Sequence, residues 1–311
     1  MDKSYTHKEF EKRFTKTADV IKYVAELEAF NLSDFTDEQL EKIIDKYFYV
    51  IPYVDTKILA GHKLYRARLN INNTPFEKVS DIAAPQKEHI IEHGRANKIG
   101  ERIFYCASNA RLALFEVIQN LKYKLNPELE VASLTIGEWR LKADLHIACI
   151  IHSPILHQLR KDILDAYNDT QKLIINGSLQ EDVVNANNLL CQFFSEQFTK
   201  DNIKSSHDYK ISAFYASRLR TSNSLIAEQY KSSRFDGLNY PSVAMNYKGD
   251  NQALFIQSVE EKLELINTIE VLCGNIDFKN GTFTYGVLHE AEKIENGIIT
   301  WKKEFYKPKA I

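Results

Sequence analysis

The sequence predicts an α+β protein, because helical and strand patterns occupy separate blocks of the chain. Apolar residues recur at helical spacing within residues 1–60 and again within 153–206. Short alternating or apolar runs typical of strands fill much of the remainder. Turn signals near the C-terminus predict a β-meander there.

Residues 1–60 are predicted to be helical. Thr36 stands three residues before Gln39, which is the spacing of a capping box, and apolar residues then recur at helical spacing through Tyr47. We expect Pro52 to end this helix.

A strand is predicted after Gly61, where the run HKLYRARLNI alternates. Arg66 and Arg68 fall on one side of this strand, so that face is expected to be basic. From Asn70 to Gly100, frequent turn residues predict a loop.

The run RIFYCAS predicts a short strand, and either Ser108 or Asn109 can cap the helix ARLALFEVIQNLKYKL that follows. Two more strands are predicted from ELEVASLTIGEWR and LHIACIIH, and the second is apolar enough to be central. Residues 153–206 predict two amphipathic helices divided at Asn176-Gly177, which form a helical hairpin inserted between β elements.

Beyond the insertion, a helix is predicted over YKISAFYASRLRTSNSLIAEQYKSS, and strands over FDGLNYPSV and NQALFIQS. We therefore expect a helical region at 1–60, a core domain at 61–258 that carries the insertion at about 153–206, and a β-rich extension at 259–311. The turn signals of the extension are Gly274-Asn275, Asn280-Gly281 and Asn296-Gly297.

Composition excludes several classes of protein. The 311 residues include 40 Lys and Arg against 42 Asp and Glu, and a net charge of −2 provides no field that would concentrate a nucleic acid. Four separated cysteines predict neither a disulfide framework nor a zinc site. With no apolar stretch long enough for a membrane span, we expect a cytoplasmic protein without nucleic-acid or membrane partners.

Sequence motifs of the common catalytic and nucleotide sites are missing, including Gly-x-Gly-x-x-Gly, Walker A, Gly-x-Ser-x-Gly and His-Glu-x-x-His. His89 and His93 stand four residues apart and could share a helix face. Such a pair without a third ligand is more often a surface pair, so no metal site is predicted.

Glu116 is the most informative acidic residue, because it interrupts an apolar run in the first helix after a strand. A carboxylate near a core could be desolvated and used for acid–base chemistry or to stabilise an oxocarbenium ion. On a helical wheel, however, Glu116 shares a face with Asn109, Gln119 and Asn120. Periodicity alone therefore favours a solvated stripe.

Two weaker signals lie elsewhere. The run from Gly94 to Gly100 offers glycines that let backbone approach a ligand and Arg95 for a phosphate contact, although an ordinary charged loop has the same composition. Ser242 follows Tyr240-Pro241 at a strand end and could face a cleft, although turn chemistry selects the same residues.

The order and spacing of these segments resemble those of the RES domain, a family named for Arg, Glu and Ser. The resemblance runs from LYRARL through GRANKIGERIFYCASNARLALFEV to YKISAFYA, FDGLNYPSVAMN and NQALF, roughly over residues 61–258 with the insertion between. Its most specific part is the continuous run from Gly94 to Val117.

The resemblance implies a split β-sheet core like that of ADP-ribosyltransferases, enlarged by the N-terminal helices and the hairpin. It implies that NAD is the substrate and that its nicotinamide–ribose bond is cleaved by hydrolysis or phosphorolysis, without a metal. RES toxins act with an Xre-type helix-turn-helix antitoxin, so the expected role is a growth-inhibiting toxin or defence effector. Whether the chain forms a homo-oligomer is left open.

Arg66, Glu116 and Ser242 match the arginine, glutamate and serine of the family, and Tyr105 matches a tyrosine common in its site. The resemblance implies that Glu116 stabilises the oxocarbenium-like ribose. Arg66 would hold the pyrophosphate, while Ser242 would orient Arg66 or a ribose hydroxyl. Tyr105 would offer a ring to nicotinamide.

Arg95 and Asn97 are further expected to contact NAD. The chain departs from the family in its length and at Ala67, where some members carry an aromatic residue. Two other functions stay open, namely transfer of ADP-ribose to a protein and binding of NAD without catalysis.

Overall fold

The computed structural model describes residues 16–48, 53–124, 131–152, 154–155, 160–176, 181–230, 235–247, 249–277 and 282–302. Their contacts divide them into two compact units. The helical unit consists of the described residues of Met1–Thr56, Glu92–Ile99 and Ala148–Ser232. The sheet unit consists of those of Lys57–Ile91, Gly100–Ile147 and Ser233–Ile311.

Helices and strands occupy separate blocks, which confirms the α+β prediction. The helices are α1 (Thr17–Ala29), α2 (Asp37–Tyr47), α3 (Val79–Ile82), α4 (Ala110–Lys124), α5 (Lys161–Asn176), α6 (Glu181–Thr199), α7 (Lys210–Tyr230) and α8 (Ile256–Lys262). The strands are β1 (Val54–Ile58), β2 (Lys63–Leu69), β3 (Ile103–Ala107), β4 (Val131–Leu141), β5 (Leu145–Cys149), β6 (Gly237–Pro241), β7 (Asp250–Phe255), β8 (Leu263–Asp277), β9 (Thr282–Glu295) and β10 (Ile298–Trp301). Within the described ranges, no helix combines the length and apolar character needed to cross a membrane.

The helical unit contains the predicted capping box at the start of α2. Thr36 Oγ1 accepts a hydrogen bond from the Gln39 amide at 3.2 Å, and Gln39 Oε1 accepts one from the Thr36 amide at 2.9 Å. The two helices predicted within residues 153–206 are present as α5 and α6. Aromatic rings fill the core of this unit, with Phe194 and Tyr215 centroids 4.9 Å apart.

The strands form a ten-stranded sheet in the order β1-β5-β6-β7-β3-β2-β4-β8-β9-β10. Strands β2 and β4 pair over their whole shared length, from Lys63 with Arg140 to Leu69 with Leu134. Between β2 and β3, by contrast, the register contains only the pair Tyr65 and Ala107. The sheet is therefore split into two five-stranded halves at this position, as the resemblance implied.

Helix α4 covers one face of the sheet beside the split. Leu114 and Ile118 of this helix pack with Ala67 of β2 and Ala107 of β3 in one buried cluster. Side chains of directly paired residues in an antiparallel sheet share a face, and neighbours along a strand alternate. Arg66 therefore lies on the face away from α4.

Several local predictions need correction. The predicted loop from Asn70 to Gly100 contains α3, a helix of four residues that is too short to show a helical period in the sequence. Residues 54–58 form the strand β1 and not a helix. The two buried residues, Val54 and Ile58, are four positions apart, and this spacing fits the period of a helix as well as that of a strand, so the sequence pattern does not distinguish them. The run NQALFIQS is a strand only to Phe255, after which Ile256 begins α8.

The Gly274-Asn275 pair is a bulge within β8 and not a turn. Asn275 adopts a left-handed φ of 49°, which lets the strand accommodate extra residues and continue. Asn296-Gly297, with φ of 49° and 77°, makes the predicted turn between β9 and β10. Pro52 and Asn280-Gly281 lie outside the described residues.

Candidate functional site

Local sequence fixes the position of Glu116. Asn109 caps α4, since its Oδ1 accepts a hydrogen bond from the Leu112 amide at 2.9 Å. The apolar residues from Leu112 to Phe115, together with Ile118, are buried against the sheet. Glu116 lies at the border of this buried face and is half-buried, so it does not belong to a fully solvated stripe.

Two buried side chains hold one oxygen of Glu116. Ser242 Oγ donates a hydrogen bond to Oε1 at 2.5 Å, and Asn251 Nδ2 donates another at 2.6 Å. Ser242 is 0% exposed and Asn251 is 6% exposed. Among the residues that the structure describes, nothing donates a hydrogen bond to Glu116 Oε2.

The loop after β6 fixes the direction of the Ser242 hydroxyl. Ser242 Oγ accepts a hydrogen bond from the Met245 amide at 3.3 Å, so its single proton is free to point at Glu116. Backbone bonds from Ser242 N to Gly249 O and from Tyr247 N to Ser242 O hold the loop at 3.0 and 2.7 Å. Gly249 has a φ of 117°, and a Cβ there would lie 2.9 Å from Leu112 Cδ2.

A row of paired residues connects Asn251 to the split in the sheet. Asn251 on β7 lies between Tyr240 on β6 and Ala107 on β3, and Ala107 pairs in turn with Tyr65 on β2. These residues share the α4 face. Tyr105, two positions before Ala107, is half-buried on the same face. The register thus assigns Tyr105 and the partners of Glu116 to one side of the sheet.

Arg66 lies on the other side and binds backbone carbonyl groups. Its Nη1 donates to Tyr105 O at 2.7 Å, across the split, and its Nε donates to Ile82 O at 3.1 Å. The guanidinium carbon is 5.3 Å from the Phe104 ring centroid. Burial, and secondarily the charge of Arg68, lower the Arg66 pKa to about 10, which still leaves the group charged at neutral pH.

The C-terminal strands hold the segment that accepts these arginines. Arg68 Nη1 donates to Asp81 O, and burial lowers the Arg68 pKa. The start of α3 is tied to the β9–β10 turn by a bond from Val79 N to Gly297 O at 2.9 Å. Trp301 Nε1 adds a bond to Phe76 O at 3.1 Å. Part of the predicted C-terminal extension therefore supports the arginine face.

Arg95 and Asn97 belong to the helical unit, where each is engaged with backbone. Arg95 Nη1 and Nη2 donate to Phe198 O and Lys200 O, both at 2.8 Å, at the C-terminal end of α6. Asn97 is 6% exposed, and its Nδ2 donates to Lys98 O at 3.0 Å. The structure thus brings Glu116 and Ser242 into contact, and joins Arg66 to the backbone of Tyr105.

The two histidines with metal-like spacing do not share a helix. His89 ends a short 3-10 turn, while His93 Nε2 lies 2.9 Å from Asp37 Oδ1. Within the described part of the chain, no three His, Cys, Asp or Glu side chains are grouped as metal ligands.

Sequence reasoning missed Asn251, which is separated from Glu116 by 135 positions. The only signal that could have found it is its place at the start of the strand NQALF, one of the runs that carry the family resemblance. It also missed the carbonyl acceptors of Arg66, since a backbone acceptor leaves no mark in the side-chain pattern.

A comparison of the chain with protein families gives one match. A family model described as RES domain matches residues 63–269 of the chain. The matched range contains Arg66, Tyr105, Glu116, Ser242 and Asn251, and it ends within β8. A search of curated proteins found no match.

Proposed function

This chain belongs to the RES domain family, and from that premise we propose that it degrades NAD by cleaving the nicotinamide–ribose bond. Family membership supports an NAD-related function at the level of the family. The observation that best supports bond cleavage is the half-buried Glu116, whose Oε1 accepts from Ser242 and Asn251 while its Oε2 accepts from no described residue.

The bond electrons pass to the nicotinamide nitrogen, which converts the pyridinium to neutral nicotinamide and leaves positive charge on the ribose. A carboxylate fixed beside the ribose lowers the energy of this oxocarbenium-like state. In the proposal Glu116 Oε2 faces the ribose, because Oε1 is occupied. Held by two donors, the carboxylate needs little reorganisation as the charge develops.

Tyr105 and Arg66 take supporting roles in the proposal. Tyr105 shares the α4 face, where its ring can pack against nicotinamide. Arg66 donates two hydrogen bonds to carbonyl groups on the opposite face, one of them that of Tyr105. These contacts favour a positioning role, in which Arg66 braces β3 across the split, over the direct pyrophosphate contact that the family resemblance implied.

The acceptor of the ADP-ribosyl group is water or phosphate. With water, a C–O bond forms, a proton is released, and the product is ADP-ribose. With inorganic phosphate, one phosphate oxygen forms that bond and the product is an ADP-ribose phosphate.

The test is to incubate the purified chain with NAD, with and without inorganic phosphate, and to measure nicotinamide and the ADP-ribose product by chromatography and mass spectrometry. We expect nicotinamide release, and we expect Glu116→Gln to lower kcat by about 10²–10³-fold, as for loss of one group that stabilises transition-state charge. Unchanged turnover in Glu116→Gln would rule out this mechanism.

A matched control is Glu264→Gln. Glu264 is another half-buried glutamate of the sheet unit, but its Oε1 pairs with Arg140 Nη2 at 2.5 Å. We expect this variant to keep the kcat of the unaltered chain. Transfer of labelled ADP-ribose to a protein, or NAD binding without nicotinamide release, would replace the proposal by one of the two other functions.

The proposal extends to a toxin or defence role. Expression of an NAD-degrading enzyme in a bacterial cell should lower cellular NAD and arrest growth, and Glu116→Gln should relieve both effects. Growth arrest that persists in this variant at unchanged NAD would contradict the role.

A further inference from the structure

We infer that Asn251 is a positioning residue for the proposed bond cleavage, because it holds the Glu116 carboxylate in the orientation that turns Oε2 toward NAD. The inference rests on the proposed function. It starts from the 2.6 Å hydrogen bond between Asn251 Nδ2 and Glu116 Oε1.

The backbone of Asn251 is well placed for such a role. Strand β7 is paired on both sides, so Asn251 lies between Ala107 of β3 and Tyr240 of β6. A short side chain on a doubly paired strand has few conformations available. Asn251 is also 6% exposed, and its amide group points to the one face on which Glu116 lies.

Glu116 needs such a partner, because its side chain has three rotatable bonds and lies on a helix surface. A single donor would leave the carboxylate free to turn about its last bond and exchange its two oxygens. Ser242 and Asn251 approach the same oxygen from different elements, a loop and a strand, at 2.5 and 2.6 Å. Two donors on one oxygen define the carboxylate plane and leave the second oxygen for the substrate.

A purely structural role for Asn251 is distinguishable from this one. Gln252, the next residue on β7, is equally buried at 1% exposure, and its Nε2 donates to Asn239 Oδ1 at 2.8 Å. Its side chain points to the opposite face of the sheet. Gln252→Ala therefore removes a buried amide from the same strand without touching Glu116.

The experiment measures nicotinamide release by Asn251→Ala, Asn251→Asp and Gln252→Ala. We expect Asn251→Ala to lower kcat by about 10-fold or more while the KM for NAD changes by less than about threefold, as for a group that acts only on the transition state. Asn251→Asp keeps the side-chain shape but replaces the donor by a carboxylate that repels Glu116, so its kcat should fall further. Gln252→Ala should keep the original kcat.

A double-mutant cycle completes the test. If Asn251 acts through Glu116, adding Asn251→Ala to Glu116→Gln should lower kcat no further than Glu116→Gln alone. Additive losses, or an equal loss in Gln252→Ala, would overturn the inference. Should Asn251→Ala fail to fold, Asn251→Leu, which is of similar size and removes the donor without adding a charge, takes its place in the cycle.

Failure of the proposed function gives a different pattern. In that case Glu116→Gln itself keeps full nicotinamide release, or the unaltered chain releases none. If Glu116→Gln is inactive but Asn251→Ala and Asn251→Asp retain full kcat, only the role of Asn251 is refuted.

Discussion

Two glutamates of the sheet unit accept hydrogen bonds from the same kinds of side chain, yet their second oxygens differ. Glu116 Oε1 accepts from Ser242 and Asn251. Glu270 Oε1, on the face of the sheet away from α4, accepts from Ser133 at 2.8 Å and Asn70 at 3.0 Å. The donor set of one serine and one asparagine is therefore common to both.

The second oxygen separates a structural carboxylate from a candidate catalytic one. Glu270 Oε2 lies 2.5 Å from His289 Nδ1, and Glu270 is only 2% exposed. Glu116 is half-buried, and its Oε2 has no donor among the described residues. A buried carboxylate whose hydrogen-bonding capacity is filled stabilises the fold, whereas one with an unfilled oxygen at the surface can interact with a substrate.

The largest stability effect is expected at Glu270. Glu270→Ala removes the acceptor of two buried donors and the partner of His289, so we expect the free energy of unfolding to fall by about 3 kcal/mol. Denaturant unfolding measures this loss. The kcat of the folded fraction should stay within about twofold, and a selective loss of kcat at full stability would abolish the distinction between the two glutamates.

The reverse pattern is expected at Glu116. Glu116→Ala should reduce nicotinamide release by about 10² -fold or more. Its free energy of unfolding should fall by about 1–2 kcal/mol, less than for Glu270→Ala, because the substitution removes the acceptor of two buried donors but no third partner such as His289. Parallel activity and unfolding measurements test this, and a stability loss equal to that of Glu270→Ala would contradict it.

The periodic features of the fold are predictable from sequence because they are local. The alternating pattern of the sequence predicted that Arg66 and Arg68 share one face of β2, and the capping-box spacing predicted that a helix begins after Thr36. The structure confirms both predictions. The contacts of Glu116 are different, because Ser242 and Asn251 are 126 and 135 positions away. Only the pairing of β6, β7 and β3 brings them to α4, and no local pattern encodes that pairing.

The serines offer a smaller and more closely matched comparison. Ser133→Ala removes a hydroxyl that is 1% exposed and also accepts from Asn70 at 2.7 Å, so we expect a loss of about 1–2 kcal/mol in unfolding free energy. Ser242→Ala should instead lower kcat by about 10-fold, because Asn251 still holds Glu116. Equal effects of the two substitutions on both stability and kcat would show that the α4 face and the opposite face of the sheet do not differ in role.

Substitution of Arg66 tests whether this residue braces the sheet or contacts NAD directly. Arg66→Lys keeps the charge, but one ammonium group cannot reproduce the fork that joins Ile82 O and Tyr105 O, so we expect a loss of about 1 kcal/mol in unfolding free energy. If Arg66 braces the split, the KM for NAD should rise by less than about threefold. A rise of 10²-fold or more, measured by initial rates, would indicate direct contact with the pyrophosphate instead.

The smallest expected effect is a loss of stability at acid pH, and it arises in the helical unit, which contains His152. Burial lowers the pKa of His152 below its ordinary value of 6.5, an effect that the nearby charge of Glu196 opposes. As pH falls through about 6.5, the unfolded chain therefore binds a proton at His152 before the folded chain does, and stability decreases. His152→Gln should reduce this acid-induced decrease. Thermal unfolding of the unaltered chain and of this variant at pH 7.5 and 5.5 measures the difference, and an equal decrease in both would refute the assignment to His152.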